Sequence, residues 1–234
     1  MYTFDSRVRY SEVGEDGRIT LNSILDYMQD CTNFQSEELG VGLEHHKKNK
    51  TAWLLNSWQI IIDSYPRMGE KITVGTQSAG YEKMFGHRNF LITDEQGNRV
   101  AIGNSLWVFM DMEKSRPIRV PAEEGDVYGR FEPLDMPYAS RKIAVPEGGE
   151  AGKPITVEEY HLDTNHHVNN GQYVRLSMIA AHAEAHVREL RVEYKKQALM
   201  GDVMIPVVIR QEKQIFVLLK DEAGSTYSVV QLMY

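Results

Sequence analysis

Apolar and polar positions along this chain follow two periods, and the order of those periods repeats. Residues 54–63 (LLNSWQIIID), 71–84 (KITVGTQSAGYEKM), 87–94 (HRNFLITD) and 105–112 (SLWVFMDM) are β-branched and aromatic with stretches of period 2. That pattern predicts strands. A second set follows at 189–197 (ELRVEYKKQ), 203–211 (VMIPVVIRQ), 215–221 (IFVLLKD) and 226–234 (TYSVVQLMY). Each set is preceded by a helix. Between Leu21 and Leu39, the positions Ile24, Leu25, Met28, Cys31 and Phe34 recur on one face at helical spacing. Between Gln172 and Ala185, the run YVRLSMIAAHAEA is apolar or small around most of its circumference, which predicts a buried helix.

The two halves also match residue by residue at their turns. Met68-Gly69-Glu70 and Met200-Gly201-Asp202 each precede an alternating strand. Asp94-Glu95-x-Gly97 and Asp221-Glu222-x-Gly224 each read as a hairpin turn before the last strand of a half. Upstream, RVRYSEVGEDGRITLNSILDYMQDC lines up with TVEEYHLDTNHHVNNGQYVRLSMIA as strand, polar turn and helix. The chain reads as a duplication of one α+β unit, a helix wrapped by an antiparallel sheet. Its expected parts are an N-terminal domain over 1–120, a Pro-, Gly- and acid-rich crossing linker over 121–153, and a C-terminal domain over 154–234.

Composition narrows the function classes. A hydrophobic fraction of 42% and a charged fraction of 25% over 234 residues fit a globular protein. The formal net charge of −7 argues against a general nucleic-acid binder. No apolar run is long enough to span a bilayer, no signal peptide is apparent at the N-terminus, and a single cysteine, Cys31, fits a reducing cytoplasm. Local basic spots at Arg116, Arg119, Lys195 and Lys196 could dock an acidic partner. Trp53, Trp58 and Trp107 are candidates for core or for the lining of an apolar channel.

The densest chemistry lies in HLDTNHHVNN, residues 161–170. In extended form, Asp163, Asn165 and His167 share one face, while His166 and Val168 take the other. In the aligned first half, Gly14, Asp16 and Arg18 stand opposite those three. A polar turn alone therefore needs neither the imidazole nor the amide. His167 can carry a proton near neutral pH, Asn165 can hold a carbonyl or a water, and Asp163 can orient a group or activate water. Asn169 or Asn170 can cap the helix that follows, leaving N–H groups at its first turn for an oxyanion. Glu193 and Tyr194 alternate faces on their strand, so only one of them points to the site. His161, Asp163, His166 and His167 are metal-ligand types, and His182 and His186 have i,i+4 spacing. HAEAH lacks the HExxH order and the helix over Ala180 to Ala185 reads as core, so no metal and no other cofactor is expected.

The block Asp163-x-Asn165-x-His167-Val168-Asn169-Asn170-x-x-Tyr173, followed by Val192-Glu193-Tyr194-Lys195-Lys196, resembles the acyl-acyl carrier protein thioesterases. The openings YTFDSRVRYSEVGEDGRITLNSILDYMQD and LLNSWQIIIDSYPRMGEKITV are similar to that family too, so the resemblance spans nearly the whole chain. It implies a tandem double hot-dog fold and hydrolysis of the thioester between a fatty acyl chain and the phosphopantetheine arm of acyl carrier protein. A monomer and a homodimer are both compatible with it. Many plant members carry Glu-Cys after the VEY-type strand, with catalytic roles assigned to both; here Gln197 and Ala198 stand there, which leaves the chemistry to Asp163, Asn165 and His167, supported by Glu193 or Gln197. The alternatives are an acyl-coenzyme A thioesterase of the same fold and a non-catalytic acyl-binding protein.

Overall fold

The β-branched alternation of the first half becomes a five-stranded antiparallel sheet, in which residues two apart bury a common face. The strands are β1 (Tyr2–Arg7), β2 (Thr51–Ile62), β3 (Lys71–Glu82), β4 (Phe85–Asp94) and β5 (Arg99–Asp111), ordered β1-β3-β4-β5-β2, with a two-residue β6 (Arg116–Pro117) on β5. The computed structural model describes residues 1–234 and divides into two units, Met1–Tyr138 and Ala139–Tyr234. In the first unit, α1 (Leu21–Glu38) lies against β3 and buries Leu21, Ile24, Leu25, Met28 and Cys31. Thr20 caps its start by accepting the Ser23 N–H at 3.2 Å. Gly40, at φ 74°, ends it: the N–H groups of Gly40 and Val41 reach back to Glu37 and Ser36 at 3.0 and 2.9 Å. Phe34 departs from the expected apolar face. It is exposed and meets Phe4 edge-on, while Gln35 takes the buried position and accepts from Arg88 at 2.5 Å. A short α2 (Leu43–Asn49) precedes β2.

The second unit repeats the plan with α4 (Asn170–Ala180), β9 (Glu189–Tyr194), β10 (Val203–Gln211), β11 (Gln214–Lys220) and β12 (Thr226–Met233), ordered β9-β12-β11-β10. Its helix is shorter than expected, ending at Ala180 rather than Ala185. His182 occupies the left-handed position that Gly40 holds in the first unit, at φ 44°. The N–H groups of His182 and Ala183 reach Ile179 and Met178 at 3.1 and 3.0 Å. This closure places residues 182–186 outside the helix, so His182 and His186 do not share a helical face.

Backbone hydrogen bonds make the duplication explicit. The Val8 N–H donates to Glu70 at 3.0 Å, and Val157 to Asp202 at 2.8 Å. Gly69 and Gly201 both sit at positive φ, 88° and 82°. The hairpins at Asp94 and Asp221 close alike: Gly97 and Gly224 are left-handed, and the aspartate Oδ1 atoms accept the N–H of Asn98 and Ser225 at 2.8 and 2.7 Å.

The segment expected to be a crossing linker carries short elements and divides between the units. Residues 121–138 hold α3 (Ala122–Gly125) and pack on the first sheet. Buried Gln59 and Gln77 side chains donate to the carbonyls of Pro137 and Glu132 at 2.8 and 2.7 Å, and Asn89 accepts the Leu134 N–H at 3.2 Å. Residues 139–156 supply β7 (Glu150–Ala151) and β8 (Ile155–Thr156), both paired with β10, and bury Ile143 against Ile209, Phe216 and Val229. No helix of the chain is long and apolar enough to cross a membrane.

Candidate active site

The turn before α4 is braced by the carboxylate at its start. The Asp163 N–H donates to the His167 carbonyl at 2.7 Å, and the His166 N–H returns to Asp163 O at 3.1 Å. Asp163 Oδ1 accepts the N–H groups of Asn165 at 2.8 Å and His167 at 3.2 Å. An aspartate that bonds its own following backbone favours a turn over an extended strand, and it overrides the period-2 reading of this stretch. Asp163 thus fixes the backbone from which both Asn165 and His167 project. The bridges Leu162–Val168 and His167–Leu199 clamp the two ends of the turn.

Gly14 to Arg18 reproduces this turn in the first unit. The Gly14 N–H donates to Arg18 O at 2.9 Å, the Gly17 N–H returns to Gly14 O at 3.0 Å, and Arg18 bridges to Arg67. The common scaffold therefore differs mainly in what it carries. In the first copy the Arg18 guanidinium donates to the Tyr65 carbonyl at 2.7 Å. In the second, His167 Nδ1 is buried and has no hydrogen-bond partner. Asn165 is exposed, and its side-chain amide makes no hydrogen bond.

One position in this turn is strained. Gly17, Gly97 and Gly224 take the left-handed position of their turns, but His166 takes it here at φ 60°. A residue with a Cβ costs about 1–2 kcal/mol in that conformation. His166→Gly is expected to stabilise the protein by about 1 kcal/mol, read as a higher urea midpoint at unchanged slope. An unchanged or lower midpoint would show that the exposed imidazole offsets the strain by contacts of its own.

Below the turn the support is hydrophobic and hydrogen-bonded. Asn169 is the cap, accepting the Gly171 N–H at 2.9 Å, which leaves the Asn170 N–H without a backbone acceptor. Tyr194 rather than Glu193 faces this region: its hydroxyl donates to Asn170 O at 3.0 Å, and its ring packs edge-on against Tyr173. The Tyr173 hydroxyl in turn accepts the Ala198 N–H at 2.9 Å. Burial pushes both phenols up, so they stay protonated. Glu193 is engaged elsewhere: it accepts the Ile143 N–H and lies 3.7 Å from Lys195 Nζ. Gln197 is exposed on the loop after β9.

His161 is structural. It is 3% exposed, and its Nδ1 accepts the Glu158 N–H at 2.9 Å, the task Glu12 performs for Arg9 in the first copy. Burial holds its pKa below the ordinary imidazole value, with Arg175 adding in the same direction. The unfolded chain therefore binds this proton more readily. The stability that His161 contributes is complete above about pH 6.5 and is lost as pH falls from there towards the folded value. The urea midpoint should decline between pH 7.5 and 5.5 in the wild type and less steeply in His161→Gln; parallel declines would assign the loss elsewhere. His161 is thus engaged with backbone, and His166 is exposed.

The remaining candidates scatter. Trp58 is buried against Phe90 and Trp53 packs on Phe109, both with buried indole N–H groups that find no acceptor, whereas the Trp107 indole donates to Ser105 at 2.7 Å. Lys196 is committed to Asp221 at 2.8 Å and to the Tyr227 ring, while Arg116 and Arg119 are exposed without an ion pair. Cys31 is core, donating weakly to Val74 O, and burial raises its thiol to about 12, which makes it unreactive.

A family model for the acyl-ACP thioesterase N-terminal domain matches residues 1–128. The chain belongs to the acyl-ACP thioesterase family. It is 26% identical over 218 residues to the chloroplastic palmitoyl-acyl carrier protein thioesterase of Gossypium hirsutum, covering 84% of this chain and 52% of that protein. It is 25% identical over 216 residues to the chloroplastic acyl-[acyl-carrier-protein] hydrolase FATB1 of Cuphea viscosissima, covering 84% and 51%. The chain thus spans about half the length of the curated relatives it matches. Its fold matches the crystal structure of an acyl-ACP thioesterase from Bacteroides thetaiotaomicron with a TM-score of 0.86 at 20% identity, over 99% of this chain and 96% of that one. The 12:0-ACP thioesterase from Umbellularia californica gives 0.81 at 19%, over the same shares. The architecture of this family member is the tandem double hot-dog.

Proposed function

We propose that this acyl-ACP thioesterase family member hydrolyses the thioester between a fatty acyl chain and the phosphopantetheine arm of acyl carrier protein, releasing the free fatty acid. The observation that carries this reading is the His167 imidazole, held on a rigid turn with a buried nitrogen that no protein group occupies. The C-terminal repeat, 154–234, carries the chemistry. Water is the nucleophile, since Cys31 is buried and Ala198 stands where a cysteine is found in many plant members. His167 takes a proton as the water oxygen attacks the carbonyl carbon. The Asn165 amide and the Asn170 N–H are the candidate donors to the resulting oxyanion. Collapse breaks the carbon–sulfur bond, and His167 returns its proton to the departing thiolate. Asp163 positions both side chains. Gln197, near the paired Leu199, can hold water through its amide but cannot act as a base.

Arg116, Arg119 and Lys195 are proposed contacts for the acidic carrier protein, in a cytoplasmic monomer or homodimer. The test is a panel of acyl carrier protein and coenzyme A thioesters from C8 to C18. Free fatty acid should appear fastest from the carrier-protein series. Arg119→Glu should raise KM for that series and leave a short thioester mimic unaffected. Preference for the coenzyme A series, or a covalent acyl-protein trapped by rapid quench, would overturn the reading.

A further inference from the structure

We propose that His45, His46 and Glu124 in the first unit form a binding site for one divalent transition-metal ion of the zinc type. The inference does not depend on the thioester chemistry. His45 and His46 lie on α2 and Glu124 on α3, and one donor atom from each of the three lies within 4.8 Å of the other two. Glu124 is only 6% exposed, and acids are almost never buried so deeply unless paired. The pairing is incomplete. One carboxylate oxygen accepts His45 Nε2 at 2.5 Å, while the other, Oε2, is buried without any hydrogen-bond partner. A buried carboxylate oxygen with no donor is costly, and a bound cation would satisfy it.

The imidazoles are arranged as ligands are. His46 Nδ1 lies 3.0 Å from Thr51 Oγ1, an outer contact that fixes the ring and leaves Nε2 to coordinate. The Phe109 ring sits 6.3 Å from the His46 ring and walls that side with apolar surface. The His45 and His46 rings meet edge-on at 5.4 Å. Two imidazoles and a carboxylate are an established zinc donor set that keeps a fourth position for water. Donors about 2.0–2.1 Å from a tetrahedral zinc lie roughly 3.4 Å apart, so side-chain rotation suffices to close the three around an ion. On binding, the proton that joins His45 to Glu124 passes to solvent and both groups turn to the metal. The ion would then tie α2 to α3, two elements separated by 79 positions at the His45–Glu124 contact, and so hold the start of the 121–138 strap on the first unit. By the usual affinity order, copper and nickel would compete with zinc here.

Cobalt(II) tests the site, because its visible absorption reports nitrogen and oxygen coordination directly. The wild type should bind one equivalent, and saturating zinc should raise its thermal midpoint by several degrees. Glu124→Gln keeps the shape and the bond from His45 but removes the charge; it and His46→Asn should each weaken cobalt binding by about 100-fold or more, with far-UV circular dichroism of the metal-free proteins unchanged. Thr51→Val should weaken it by about 10-fold through the lost outer contact. His182→Asn with His186→Asn, outside the cluster, should leave binding as in the wild type. Cobalt bound as tightly by Glu124→Gln as by the wild type, no binding at all, or loss only in the His182/His186 variant would each overturn the proposal.

Discussion

His167→Ala is expected to lower kcat/KM for acyl carrier protein thioesters by about 10³-fold, within the 10²–10⁴ that a positioned acid–base group supplies. The change should fall on kcat, because the imidazole moves protons and contributes little to holding the acyl chain. Stability should change by no more than about 1 kcal/mol. The His167 N–H bond to Asp163 and the bridge to Leu199 are made by backbone and survive the substitution. The buried Nδ1 has no partner to lose, so its removal leaves no unsatisfied group behind. Steady-state kinetics with a urea melt on the same sample decide it. A loss smaller than tenfold would remove His167 as the proton carrier.

Asp163 is expected to separate two roles that a single alanine variant would confound. Asp163→Asn keeps an oxygen that accepts the Asn165 and His167 N–H groups, and asparagine equals aspartate as a local backbone acceptor. It should retain stability to within about 0.5 kcal/mol and kcat/KM to within about tenfold. Asp163→Ala strands both N–H groups, should cost about 1–2 kcal/mol, and should lower kcat/KM by about 100-fold as the two side chains lose their fixed origin. If Asp163→Asn is instead as inactive as Asp163→Ala while remaining as stable as the wild type, the negative charge itself is used, and Asp163 rather than His167 is the base.

Most of the scaffold was legible in residue order because it is written in short-range terms. Strand periodicity located seven of the long strands closely, and the Met-Gly-acid and Asp-x-x-Gly pairs marked turns that close alike in both halves. The strand at 105–112 begins earlier, at Arg99, because a charged first residue and Gly103 dilute the apolar alternation. The end of α4 was not legible. The run IAAHAEA has no polar boundary, and the helix stops where His182 adopts a left-handed turn that glycine normally marks. The packing of the crossing segment is not legible either, because its carbonyls bond to buried Gln59 and Gln77, and such contacts have no period.

For the site, residue order was sufficient to single out Asp163, Asn165 and His167, since the paired copy GEDGR shows what the same turn requires without chemistry. Their exact geometry is not in the alternation, which describes an extended stretch and says nothing about a carboxylate that bonds its own backbone. Whether Glu193 or Tyr194 faces Asn170, whether Phe34 or Gln35 completes the α1 face, and whether Glu124 reaches His45 were settled only by folding. Those questions turn on the register of one strand against another and on the rotation of a helix about its axis. Both are set by the simultaneous packing of residues dozens of positions apart, which no local window contains.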